Sequence, residues 1–388
     1  MTLRRLVTRP VLVASAVAGG SMVGAAAGSV AAAAWFARQV LTPDALQPDD
    51  VLVLDHDADS VTLSVTPETV VDGRYGLWLD GGLGHARVGS VIELTDGGVR
   101  RELLGVDRGE LHTGPARWNQ YYYWDRPSVT VGIPEEEVTI TSDVGPLPAW
   151  VVRPEDGGGG DWAVLVHGRG ARRAEVVRAL PVLRELGWTC LVPGYRNDRD
   201  SPRGPDGRYT LGLSEWRDIE AAMAWAVSHG AERILLMGWS MGGAIALQVI
   251  DSSALADRVV GVVLDSAVLD WADVFAHHGR RHRVPHGLVR LSQSLMGSAT
   301  SKALLGLLEP VDVARTDWVA RAGELHLPML VMHSDDDDFV PIGPALALAA
   351  RRPDIVQLER WQVARHCKMW NVDSDRWESD LRSFVSGV

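Results

Sequence analysis

Arg233-Ile234-Leu235-Leu236-Met237-Gly238-Trp239-Ser240-Met241-Gly242-Gly243-Ala244 is the stretch that decides the fold. Residues 233–237 form a short apolar run of the kind buried on both faces of a sheet, and residues 244–250 carry a helical pattern. Between them stands G-x-S-x-G, a motif that carries chemical meaning only in this strand–turn–helix setting. So sharp a turn leaves no room for side chains two positions before and two after the serine, and Gly238 and Gly242 meet that need. Ser240 is thereby thrust out at the C-terminal edge of a strand. The helix that follows aims backbone N–H groups and its dipole at the same point, so the Met241 amide is a candidate donor to negative charge developing there.

The same alternation extends outward from this turn. Strand patterns at 138–141, 149–152, 162–166, 189–192, 259–264, 329–332 and 355–358 are separated by helical ones such as 173–186 and 213–229. Such alternation from residue 134 to 388 predicts an α/β domain with a mainly parallel sheet and helices on both faces. Residues 271–325 interrupt it with a helical insertion that contains His and Arg, where a lid over the site is expected. Residues 51–133 read differently. Short runs rich in Val, Leu, Thr and Tyr, such as 60–65, 75–79 and 88–94, lie between Gly and Asp turns and predict a small β-rich unit of antiparallel strands.

A serine hydroxyl is a weak nucleophile at neutral pH and needs a base, most often His, with a third group to orient it. The strand at 329–332 runs into His333-Ser334-Asp335-Asp336-Asp337-Asp338-Phe339-Val340-Pro341, a loop crowded with carboxylates, one of which can face the site. Past the last strand, Ala364-Arg365-His366-Cys367 precedes Trp370 and an amphipathic helix at 375–384, and a loop there would carry His366 back over the sheet edge. Upstream, His167-Gly168-Arg169-Gly170 follows the strand at 162–166 in a Gly-flanked turn, and the Arg169 amide is a candidate second oxyanion donor. The Arg169 side chain could instead meet substrate.

These motifs together resemble the α/β-hydrolase superfamily, within the branch of bacterial serine esterase and peptidase-like proteins, over residues 134–388. The resemblance implies the chain order nucleophile, acid, base, and hence Ser240, one of the clustered acids and His366. It also implies a register: in a segment like H-G-x-x-D-x-V-V-P the acid lies four residues before the proline, which selects Asp337, with Asp338 next in line. Ser334 stands where the family usually has Gly. The run from His366 through Trp370, Asn371 and Asp373 is similar to an H-x-x-x-W-N-x-D ending of membrane-associated members.

Residues 11–36 hold no charge, with Arg4, Arg5 and Arg9 before them and Arg38 after. A helix of that length spans a ~30 Å hydrocarbon layer, and the charge bias places the N-terminus inside. The expectation is a single-pass membrane protein with a signal anchor at 1–40, a linker at 41–50 and an extracytoplasmic catalytic domain, with Trp35 at the interface. The rival is a cleaved, secreted form, for which Ala31 to Ala34 offer small residues. Gly20, Gly24 and Gly28 recur at a spacing that suits self-association of such helices.

Composition narrows the partners. A formal charge of -12 argues against nucleic acid, whose binding draws on clustered Lys and Arg. Cys190 and Cys367 read as separate thiols. His278, His282 and His286 are spaced for one helical face, but Pro285 and Gly287 weaken that helix and no acid or Cys completes a metal site, so neither metal nor cofactor is expected. Arg280, Arg281 and Arg283 read as a solvated basic face. The partner expected is a small-molecule or lipid-like acyl substrate, hydrolysed through an acyl-enzyme. An acyltransferase using the same residues and a non-catalytic binding protein are the alternatives.

Overall fold

The computed structural model describes residues 28–43 and 47–388. Six strands, β1 (Val51–His56), β2 (Ser60–Leu63), β3 (Tyr75–Leu79), β4 (Gly84–Thr95), β5 (Gly98–Arg108) and β6 (Gly114–Asn119), close into a barrel in the order β1-β2-β5-β4-β3-β6. Its interior is filled by alternate residues such as Val61, Leu63, Leu77, Val88 and Trp118. Arg101 is also inside. Its guanidinium donates to the carbonyls of Gly89, Thr69, Val71 and Gly73 at 2.8–2.9 Å and lies over the rings of Tyr75 and Trp118, so burial leaves it well partnered.

After the barrel, eight strands form one sheet: β7 (Glu136–Ser142), β8 (Gly145–Val152), β9 (Asp161–Val166), β10 (Thr189–Pro193), β11 (Arg233–Trp239), β12 (Val259–Asp265), β13 (Met329–Ser334) and β14 (Val356–Trp361). The order is β14-β13-β12-β11-β9-β10-β8-β7, parallel from β14 to β10, with β8 and β7 antiparallel at one edge. The central strands read as unbroken apolar runs because both faces are covered, one by the helix α2 (Leu180–Glu185) and the other by the helix α3 (Trp216–Ser228). Trp162, Val164 and Val166 of β9 enter one core, and Ala163 and Leu165 enter the other. The chain leaves β9 toward β10 on one side and returns through β11 on the other, so the loops after β9 and β11 meet where the strand order reverses. Gly238 pairs with Val166 across that junction.

The N-terminal segment departs from the sequence reading. Residues 28–41 form a helix, α1, whose Ala33, Ala37 and Leu41 are fully buried in the core of the α/β domain. Arg38 donates to the Leu304 carbonyl, the Tyr209 amide donates to the Leu41 carbonyl, and Arg208 bonds Thr42. The end of the uncharged run and the start of the expected linker are therefore protein contacts, because an Ala-rich face packs as well against protein as against lipid. Trp35 stays 62% exposed. Residues 11–27 of the run, with Gly20 and Gly24, lie outside the described residues, and no helix among the described residues is long and apolar enough to cross a membrane.

Candidate active site

The turn after β11 is built as its glycines require. A Cβ on Gly238 would stand 2.4 Å from the Gly242 carbonyl oxygen, and one on Gly242 would stand 2.1 Å from that of Val166, so neither position tolerates any side chain. Ser240 itself takes φ 51°, ψ -117°, a conformation that L residues rarely adopt, and caps the helix α4 (Met241–Ser252). Backbone bonds hold it there: its amide donates to the Asp265 carbonyl and its carbonyl accepts from Val268, each near 3 Å. Met241 begins the helix, so its amide is one of the N-terminal donors without an intrahelical partner.

His366 reaches Ser240 from the loop after β14. Its Nε2 lies 3.0 Å from Ser240 Oγ, and its Nδ1 lies 2.7 Å from Asp337 Oδ2. Asp337 is buried, and its Oδ1 accepts from the amides of Phe339 and Val340 at 2.9 and 2.8 Å. Burial works against its charge, but the charge and hydrogen bonds of the His366 and His333 imidazoles outweigh it and hold the carboxyl far below the usual range. The partner effect raises His366: burial lowers its basicity, the adjacent Asp337 carboxylate more than restores it, and the result stands well above an ordinary histidine. Arg365 and Cys367, on either side of His366, both have positive φ, so the backbone that aims the ring is itself strained. The Cys367 thiol lies 3.6 Å from His366 Nε2, yet burial pushes it up to about 11, which leaves it protonated at neutral pH. Both cysteines are free and buried.

A family model described as the alpha/beta hydrolase family matches residues 163–381, more than half of the sequence. The chain belongs to the alpha/beta hydrolase family. Two crystal forms of an esterase from Pyrococcus furiosus share the fold of this hydrolase, at 18% and 17% identity and TM-scores of 0.52 and 0.51. Each alignment covers 68% of this chain, and 94% and 96% of the esterase. A second model, a domain of unknown function (DUF8805), matches residues 51–119 and so coincides with the barrel. No curated protein matches the sequence.

The hydrolase gives each of the four clustered acids a different partner. Asp335 pairs with Arg360, Asp336 accepts from the amides of Ala364 and Arg365, Asp337 meets His366, and Asp338 pairs with Arg281 of helix α5 (Trp271–Arg281). That helix ends before His282, and His286 opens the next, α6 (His286–Met296), after Pro285, so the three spaced histidines share no continuous helix. His277 and His278 instead bond the carbonyls of Asp338 and Phe339, and the Phe339 ring lies 5.0 Å from that of His366.

On the opposite side of Ser240, Gly168 comes close enough that a Cβ there would stand 3.3 Å from Ser240 Cβ. Its amide is occupied, donating to Glu175 Oε2 at 2.8 Å. The Arg169 side chain turns to the end of α1 and donates to the carbonyls of Gln39 and Thr42. Residues that sequence reading missed surround this turn. Glu175 accepts from Gln120 Nε2 at 2.8 Å, and Tyr121 Oη accepts from the Arg172 amide at 2.8 Å. The H-x-x-x-W-N-x-D ending also acquires a structural meaning. Asn371 donates to the carbonyls of Arg74 and Gln120, and Asp373 caps the last helix, α7 (Ser374–Val385), by accepting from the Arg376 amide.

Proposed function

We propose that this hydrolase cleaves a carboxylic ester, thioester or amide through an acyl-enzyme on Ser240. The observation that supports this most directly is the unbroken hydrogen-bonded line from Ser240 Oγ through both nitrogens of His366 to Asp337. His366 Nε2 takes the hydroxyl proton as Oγ attacks the carbonyl carbon, and the imidazolium is stabilised through Nδ1–H by Asp337. The oxyanion accepts from the amides of Met241 and Arg169, and His366 then delivers its proton to the departing alcohol, thiol or amine. Water enters next; His366 removes its proton as the oxygen attacks the acyl carbon, and the acid leaves with Ser240 restored.

The experiment is labelling of the full chain with a fluorophosphonate, together with turnover of a short-chain aryl ester. Wild type takes up the probe at Ser240, and Ser240→Ala loses both labelling and roughly 10³-fold or more of the turnover. Near-wild-type turnover by Ser240→Ala sinks the reading.

A further inference from the structure

We infer that the oxyanion turn of this enzyme, residues 168–172, is set in place partly from outside the α/β domain, by the barrel's exit segment and the N-terminal helix, with Gln120 and Tyr121 as positioning residues and Glu175 as the domain residue through which Gln120 acts. The inference rests on the hydrolase reading above. Three ties converge on five consecutive residues. Gln120 fixes Glu175, whose other oxygen holds the Gly168 amide. Tyr121 Oη receives the Arg172 amide. Gln39 and Thr42 hold the Arg169 guanidinium through their carbonyls. Arg172 and Arg169 are therefore tied directly, and Gly168 through Glu175, to sequence that the alpha/beta hydrolase family model, residues 163–381, does not cover.

The barrel side is itself rigid where it makes these bonds. His85, fully buried, holds the Tyr121 carbonyl at 2.8 Å with one nitrogen and Asp107 at 2.9 Å with the other. The Tyr121 amide donates to Asn119 Oδ1, and the Gln120 carbonyl accepts from Asn371. Glu175 is 5% exposed, and its two oxygens are divided between the Gln120 amide and the Gly168 N–H. An oxyanion donor acts through sub-ångström placement at the position where charge develops, and an amide that is free to swing loses that placement without losing ground-state binding. Within the α/β domain, Tyr195 Oη donates to the Gly168 carbonyl at 2.9 Å and Glu175 holds the Gly168 amide; residues 39–42 and 120–121 add, from outside it, the ties to the Arg169 guanidinium, the Arg172 amide and the Glu175 carboxylate.

The test uses the full chain. Tyr121→Phe removes one oxygen and with it the Arg172 contact; Gln120→Leu removes the Glu175 contact. Each variant is assayed for kcat and KM on a short-chain aryl ester and for inhibition by a trifluoromethyl ketone of the same acyl group, whose hemiketal oxyanion occupies the donors. The expectation is a ~5- to 50-fold fall in kcat with KM held within about twofold, and a weakening of ketone inhibition by the same factor. If Gln120→Leu fails to fold, Tyr121→Phe decides alone. Values of kcat and ketone affinity within about twofold of wild type overturn the inference, as does a loss that falls on KM alone. A wild-type chain that neither hydrolyses the ester nor takes up a fluorophosphonate sinks the hydrolase reading instead.

Discussion

At His366, burial and a carboxylate oppose each other, and the carboxylate wins. The consequence is a pH dependence with a definite sign. In the proposed mechanism only the neutral imidazole accepts the Ser240 proton, so below the raised pKa, where the imidazolium dominates, activity is expected to fall. The acid limb of kcat/KM should therefore have its midpoint above ~6.5, the unperturbed value for histidine, and a pH–rate profile with its midpoint at or below that value contradicts the reading. The choice among neighbouring acids is equally testable. Asp337 faces His366, whereas Asp338 meets Arg281. Asp337→Asn should lower kcat by roughly 10³–10⁴-fold, while Asp338→Asn stays within about an order of magnitude; kinetics of the two variants on one ester decide it. Ser240 and His366 stand out in the sequence because a Gly-flanked turn and a loop past the last strand are local signals. Gln120, Tyr121 and Glu175 carry none, since the bonds Gln120–Glu175 and Tyr121–Arg172 join residues more than fifty positions apart.

Among the elements, the turn after β11 is the one whose sequence admits least change. The Cβ of Gly242→Ala would collide with the Val166 carbonyl of the neighbouring strand, and neither can move without breaking the β9–β11 pairing. The variant should lose at least ~3 kcal/mol or fail to fold, as denaturant unfolding against wild type will measure. Strands of the sheet are legible because residues facing both cores are apolar in unbroken runs. Helices are less so. The single helix expected at 173–186 is a 3-10 segment, Arg173–Ala179, followed by a short helix, Leu180–Glu185, because Pro181 has no amide hydrogen to continue the bonding from the preceding turn. In the insertion, α5 ends at Arg281, Arg283 takes positive φ, and Pro285 stands at the cap of α6.

For the molecule as a whole, the sequence suggests a β-rich unit before an α/β domain but carries no sign of the seam between them. Besides the contacts at 120–121, Glu68 pairs with Lys368, the Pro67 carbonyl accepts from Arg365, and the Arg74 amide donates to the Asn371 carbonyl, so the segment 67–74 grips the loop that carries His366. Contacts of such sequence separation leave no periodic trace, which is why the barrel's place beside the site was not readable. The helix α1 illustrates the same limit: composition alone cannot distinguish an alanine face made for lipid from one made for protein. Its position also bears on how the chain is made. Arg38 and the carbonyl it binds at Leu304 are 266 residues apart. At a synthesis rate of about 5–20 residues per second, this helix leaves the ribosome roughly 15–50 s before that partner exists, while the barrel strands that follow it can already pair. Until the strands and helices from residue 140 onward emerge, Ala33, Ala37 and Leu41 have no core to enter, so the segment that later helps hold Arg169 is exposed to chaperones, bilayers and proteases.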